Sequence, residues 1–366
     1  MISSIQIRGY RGFEDFEMGG LERINLLVGT NNSGKTSVLE ALYLLTSRGA
    51  PWALWQVLSR RGERLLERDP NNIPEMDVCH LFRGHDLHMG AKFVLAATNQ
   101  TPERHLTFTI GEMSEDHTSK TTVREGVQLA SRLGLHVKGV PAPAVAVIPL
   151  TRAGGVTADS LDLPRRVRVR SFDQETPSQF ITTESLSGNE LVGLWDRVAL
   201  TSNEERVLLA LQFLEPGIER IAAQAASPNY YAAQRGGFIL RMQGHERPVP
   251  IGSMGDGMWR MMAMAIAIAQ CKGGVLLVDE IDTGLHYTVM AKMWRLIYGA
   301  AKELDVQVFA TTHSYDCIKS LAELCYTETD ARENVTLQRI EVGNPKAIPY
   351  TEDEIEIAAE KNIEVR

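Results

Sequence analysis

Residues 29–36 read Gly-Thr-Asn-Asn-Ser-Gly-Lys-Thr and satisfy the pattern GxxxxGK[ST] at every fixed position. They follow a run that is apolar but for Asn25, Ile24 to Val28, and precede a stretch in which Val38, Leu42 and Leu45 share one helical stripe. A buried strand that turns through glycines into a helix leaves the chain few options, and α/β architecture around a parallel sheet is the expected one. The glycines let backbone N–H groups close around an anion, and the helix N-terminus adds its positive end. Gly29, Asn31, Asn32, Ser33, Gly34, Lys35, Thr36 and Ser37 are therefore the expected phosphate-binding set. Lys35 would reach the β- and γ-phosphates of a nucleotide, and the Thr36 hydroxyl would hold Mg²⁺.

A matching signal lies far downstream. Val275 to Val278 is apolar and ends in Asp279-Glu280. Such an ending also suits a strand that merely meets solvent. Beside a full phosphate loop, Asp279 reads as a Mg²⁺ ligand acting through water and Glu280 as the group that polarises the attacking water. His313 closes the next β-rich run, Val306 to Ala310, and would face the γ-phosphate if the two strands are neighbours. Residues 288–303 between them have an amphipathic helical pattern, so strand, helix and strand form a right-handed crossover. Gly252 to Gly257 precedes Met258 to Ala269, a helix apolar nearly all round and hence buried. Taken alone, Ser253 there reads as an N-cap on a flexible turn.

In this order the segments resemble the ABC-type ATPase heads of the RecF, SMC and OLD (overcoming lysogenisation defect) group. VGTNNSGKTSVLEAL is similar to their Walker A, and PIGSMGDGMWRMMAMAIAIA to their signature segment. GGVLLVDEIDTGLH looks like Walker B with the D-loop, VQVFATTHS like the switch-histidine strand, and IQIRGYRGFEDFE like the leading strands. The resemblance implies ATP and Mg²⁺ as cofactors, with Lys35, Glu280 and His313 catalytic and Thr36 and Asp279 at the metal. It also implies a composite site, in which Ser253 and Gly255 contact the γ-phosphate held by a second copy. Thr283 to His286 would then lie at the seam. Met254 and Asp256 depart from the familiar LSGGQ, and His286 stands where transporter heads carry Asp. Gln56 is a candidate for the Mg²⁺-contacting glutamine by position only.

The expected fold is an ABC-type head with a parallel core sheet, antiparallel leading strands and a compact inserted α+β lobe. Residues 1–45 and 250–345 would form the head, 46–249 the lobe and remaining head strands, and 346–366 an acidic tail. Within the lobe, KFVLAAT and HLTFTI in residues 91–111 look like antiparallel strands, and 203–225 place Val207, Leu208, Leu211, Leu214 and Ile218 at helical spacing. Residues 138–158, with Pro141, Pro143, Pro149, Gly154 and Gly155, suggest a linker or lobe boundary. Glu352 to Arg366 reads as an acidic surface helix. No heptad run supports a coiled coil. Only 53 residues follow His313, too few for the Toprim nuclease domain of OLD proteins.

Composition bounds the partners. A formal net charge of −8 argues against coating nucleic acid by bulk charge, although a local groove stays open. Arg165, Arg166, Arg168 and Arg170 alternate with valines and suit an exposed strand face somewhat better than such a groove. Four cysteines without CxxC spacing read as reduced thiols of a cytoplasmic protein. Cys79, His80, His85 and His88 cluster in sequence but fit no zinc spacing. The longest apolar run is nine residues, Met261 to Ala269, against the about 20 that span a bilayer. The expected protein is thus an ATP-dependent homodimer or higher oligomer that controls a separately encoded effector, a nuclease or toxin, in anti-phage defence or DNA repair. A non-hydrolysing ATP-sensing scaffold and a transporter's ATPase subunit are the alternatives.

Overall fold

The computed structural model describes residues 1–65, 75–99, 104–113, 133–140, 145–151, 153–157, 176–224 and 237–361. The chain opens with β1 (Ile2–Tyr10), β2 (Phe13–Gly19) and β3 (Ile24–Val28), then helices α1 (Lys35–Thr46) and α2 (Pro51–Arg60). Six strands follow: β4 (Glu75–Asp77), β5 (Lys92–Asn99), β6 (Arg104–Glu112), β7 (Leu133–Val140), β8 (Val145–Pro149) and β9 (Gly155–Thr157). Next come β10 (Ser178–Ile181), α3 (Gly188–Trp195), α4 (Ser202–Gln212), β11 (Ile218–Ala223), β12 (Phe238–Met242) and β13 (Val249–Pro250). The last third holds α5 (Asp256–Gln270), β14 (Val275–Val278), α6 (Tyr287–Glu303), β15 (Gln307–Thr311) and α7 (Tyr315–Thr327). It ends in β16 (Val335–Arg339), β17 (Ile348–Tyr350) and α8 (Glu352–Glu360).

Two six-stranded sheets organise these elements. The core sheet has the order β10-β14-β15-β3-β16-β17, parallel except for β17 at its edge. The second sheet, β2-β1-β5-β6-β7-β8, is antiparallel throughout. The leading strands and the pair in residues 91–111 are antiparallel, as expected, and the structure joins them in one sheet. β14, α6 and β15 form the expected parallel crossover.

Side chains along the core strands divide between two apolar clusters with period two. Leu26, Val28, Leu276, Val278, Val308 and Ala310 face α5, α6 and α7. Leu27, Val275, Leu277 and Phe309 face α1 and the antiparallel sheet. A parallel sheet covered on both faces explains why its strands read as nearly continuous apolar runs. It also explains α1, which is buried on nearly every side because it lies between two sheets, whereas the sequence showed only the Val38–Leu42–Leu45 stripe. Two buried amides fasten the sheets. The Gln307 side chain accepts from Ile2 N and donates to Ile2 O and Glu22 O, and Gln338 Nε2 donates to Gly19 O.

Two readings of the lobe and one of the C-terminal tail change. Residues 138–158 are not a linker in their described part, since Gly139 lies inside β7, Pro149 ends β8 and Gly155 begins β9. Cross-strand pairing outweighs the local turn preference of glycine there. The helix expected over 203–225 stops at Gln212, and Ile218 opens β11 instead, with Pro216 and Gly217 between them. The acidic C-terminal helix is not wholly a surface element, because Ile355 and Ala358 are buried in the core.

Glu40 is the one carboxylate inside buried α1, at 2% exposure. Its two oxygens meet Arg11 Nε at 2.7 Å and Arg61 Nε at 2.6 Å, and Arg11 also reaches Glu63 at 2.5 Å. Truncating one partner of a buried pair strands the other charge, at a cost of about 3–5 kcal/mol. Glu40→Ala is expected to lower unfolding free energy by that amount in urea denaturation; a loss under about 1 kcal/mol would show that the network relaxes into water.

Candidate active site

The phosphate loop is shaped by what surrounds it. Gly29 has φ +143°, and a Cβ there would stand 2.2 Å from Ile340 O, so no side chain fits. Gly34, at φ +104°, lies against the Phe13 ring, 2.4 Å from where its Cβ would be. Lys35 Nζ donates to Gly29 O and Thr30 O, both at 2.9 Å, and closes the loop upon itself. Burial lowers the Lys35 pKa, while Asp279 and Glu280 pull it back up. α1 begins at Gly34 with no side-chain cap, so its first N–H groups stay available to an anion. Ser33 Oγ is buried without a hydrogen-bond partner, as a phosphate-facing hydroxyl would be. These features fit a nucleotide phosphate chain.

The carboxylates arrive from the neighbouring strands. Thr36 Oγ1 lies 3.1 and 3.2 Å from the two Asp279 carboxylate oxygens. A hydroxyl and a carboxylate brought together in this way are the oxygen donors that Mg²⁺ prefers, so the pair fits that ion. Thr311 Oγ1 donates to Asp279 Oδ1 at 2.6 Å and accepts from Glu280 N at 2.7 Å. Glu280 itself sits at φ +45°, and Thr283 Oγ1 donates to its carboxylate at 3.2 Å. Burial and then Lys35 hold the His313 imidazole below its usual range, against Glu280, Asp282 and Asp279. Lys35, Thr36, Asp279, Glu280 and His313 thus gather at the C-terminal ends of β3, β14 and β15, which are adjacent parallel strands. Beside the loop opens a cavity of about 1070 Å³, lined in part by Phe13, Asn32, Ser33, Gly34, Ser37 and Arg61.

The signature segment lies elsewhere. Ser253 is exposed in a 3₁₀ turn, Ile251–Met254, and Gly255, at φ +88°, is the N-cap of α5 without a side-chain bond. Ser253 is therefore not the cap that local chemistry suggests. Gly257 faces Gly284 O, with 3.1 Å to a Cβ placed there, so the signature turn rests directly on the 283–286 loop. α5 packs on the opposite face of the core sheet from α1. Among the described residues, no hydrogen bond joins Ser253 or Gly255 to Lys35, whose ammonium bonds Gly29 O and Thr30 O.

Other candidates separate. Gln56 Oε1 accepts from the Tyr43 hydroxyl, and among the described residues no hydrogen bond joins Gln56 to Thr36 or Asp279. Asp77, Cys79 and His80 place ligand atoms within 4.8 Å of one another, and His80 Nδ1 meets His85 Nδ1 at 3.1 Å. Burial and Asp77 push the Cys79 thiol up to about 12, and Asp77 Oδ1 already accepts from Cys79 N at 2.9 Å. His88 stands apart, beside Asp86. Arg165, Arg166, Arg168 and Arg170 lie outside the described residues. Two residues of the site escaped sequence reasoning: Thr311, and Arg260, which donates from α5 to the carbonyls of Asp279 and Glu280. The signal for Arg260 was present, a lone charge within the otherwise apolar stretch Met258 to Ala269 of that helix.

A family model described as "AAA domain, putative AbiEii toxin, Type IV TA system" matches residues 100–316, and one described as "AAA ATPase domain" matches residues 1–88. An "ATP/GTP phosphatase" of Helicobacter pylori is 21% identical over 96% of this chain and 95% of its own. A DNA replication and repair protein RecF of Bacillus cytotoxicus is 41% identical over 44 residues, 12% of each chain. An SMC head domain from Thermotoga maritima superposes with TM-score 0.46 at 14% identity, over 96% of this chain and 98% of that one. Among the described residues, no helix is long and apolar enough to cross a membrane.

Proposed function

The chain belongs to the AAA domain family and hydrolyses ATP, and on that premise we propose that it is an ATP-gated switch closed by two copies. The observation that carries this reading is the division of the site. Lys35 and Thr36 open α1 on one face of the core sheet, while Ser253 and Gly255 stand exposed ahead of α5 on the other. Ser253 and Gly255 of one copy then cap the γ-phosphate held by the other. Gly29, Asn31, Asn32, Ser33, Gly34 and Ser37 cradle the phosphates, and Lys35 neutralises their charge. Thr36 and Asp279 would hold Mg²⁺, which would supply further neutralisation of phosphate charge. Glu280 accepts the proton of the attacking water, and His313 hydrogen-bonds the γ-phosphate. The cavity beside the loop takes the nucleoside.

Closure and release of the pair control a separately encoded effector, a nuclease or a toxin, in anti-phage defence or DNA repair. The matched family's description names a putative AbiEii toxin and a type IV toxin–antitoxin system, which supports a toxin system as the setting and leaves the separate effector to experiment. Nucleic acid is left open as a further partner. The test is light scattering with and without ATP and Mg²⁺. The mass should rise from 40.6 kDa to twice that value when ATP is in excess, and specific activity should climb with protein concentration. A mass indifferent to ATP would overturn the gate.

A further inference from the structure

Arg260 occupies an unusual place. It is 3% exposed, one turn into α5, and its neighbours from Met258 to Ala269 are all buried and apolar. Such a cation is expensive to bury unless its donors are met. No carboxylate oxygen bonds it among the described residues. Instead Nη2 donates to Asp279 O at 2.7 Å and to Glu280 O at 3.0 Å, and Nη1 donates to Thr182 O just beyond β10. Nε is buried without a partner. Burial lowers the Arg260 pKa to about 10, against Asp279, Asp282 and Glu280, so the group stays charged at neutral pH.

The carbonyls it grips belong to the peptides on either side of the left-handed Glu280. A non-glycine residue holds that conformation only when its surroundings impose it. Thr311 holds Glu280 from its N–H side, and Arg260 holds it from its carbonyl side. A planar guanidinium can span the ends of β10 and β14 at once, which a single ammonium cannot.

We propose that Arg260 is a positioning residue that fixes the aim of the Glu280 carboxylate and couples it to the signature turn of the same chain. The coupling follows from the covalent path. Gly255 caps the helix, Arg260 lies five residues further on, and any shift of α5 on engaging the second copy's nucleotide moves the guanidinium against the Glu280 peptide. Hydrolysis in one site then depends on whether that chain's signature turn is engaged in the other. This inference rests on the reading of Glu280 as the group that activates water.

The experiment is a double-mutant cycle of Arg260→Lys and Glu280→Gln, read by kcat, KM and ATP affinity. Arg260→Lys alone is expected to lower kcat by about 10–100-fold, the scale of a small misplacement of a catalytic group, with ATP affinity unchanged. In the Glu280→Gln background it should cause no further loss, because a residue that acts through another is silent once that one is gone. Losses that multiply, an unchanged kcat, or a parallel loss of ATP affinity would each overturn the role of Arg260. Unchanged turnover in Glu280→Gln alone would refute the catalytic reading instead. Hydrogen exchange on the unsubstituted chain covers the case in which Arg260→Lys does not fold. ATP must slow exchange in the first turns of α5 and at residues 279–281 together, and slowing of one without the other refutes the coupling.

Discussion

Glu280→Gln is expected to cut ATP turnover by about 10²–10⁴-fold, the usual contribution of a positioned general base, while ATP binding survives. The exchange is nearly isosteric. The Thr311 and Arg260 bonds to the 279–280 main chain do not involve the side chain and remain, and a glutamine can still accept from Thr283 Oγ1, now at 3.2 Å from the carboxylate. The capacity to take a proton disappears, and with it the negative charge that pulls the Lys35 pKa up. Lys35, Thr36 and Asp279 keep their mutual geometry, so the nucleotide is held and not cleaved. Phosphate release under single-turnover conditions, beside titration of a fluorescent ATP analogue, separates the two effects. A loss of less than about tenfold would move the base elsewhere and favour a site whose main product is assembly.

Lys35→Ala acts one step earlier, on binding. Lys35 is 6% exposed and its ammonium is bonded to two loop carbonyls at 2.9 Å, so it organises the loop besides its expected role on phosphate. Hydrogen bonds to charged groups contribute about 1.5–3 kcal/mol each, and losing two of them to phosphate oxygens implies a fall in ATP affinity of at least about 100-fold. The substitution also removes the cation that opposes Asp279 and Glu280, which leaves their negative charge facing the phosphates. A corollary concerns His313, whose pKa Lys35 helps to hold down after burial. Without Lys35 that pKa rises towards the ordinary histidine range, and NMR titration of the ring reads the shift. Calorimetry showing native affinity in Lys35→Ala would refute the assignment of the loop.

Much of the head was legible because its strands are short, apolar and end in polar residues of distinctive chemistry. β3, β14 and β15 each announce their burial by composition, and each is followed at once by its working residue, Gly29, Asp279 or the Thr311–His313 stretch. The antiparallel strands around 91–111 were legible through alternation. Glycine-bearing β7 and the Pro-Gly break after α4 were not, because a glycine inside a strand and a glycine in a turn look alike until a partner strand is present. Glu40 and Arg11 gave no sign of meeting, since 29 residues separate them and only the stacking of α1 on the antiparallel sheet brings them together.

The sequence by itself determined the phosphate loop, the acidic strand end, the histidine and the buried helix behind the signature turn. Each is a local pattern in which a few adjacent residues carry both the backbone geometry and the chemistry. Only the tertiary structure decided how these pieces share a sheet. It placed β3 between β15 and β16, put α1 and α5 on opposite faces, and turned a lone arginine of α5 towards the peptide of Glu280. Those relations join residues up to hundreds of positions apart, and they follow from how the two faces of one sheet are covered, a global packing condition that no local window of sequence contains.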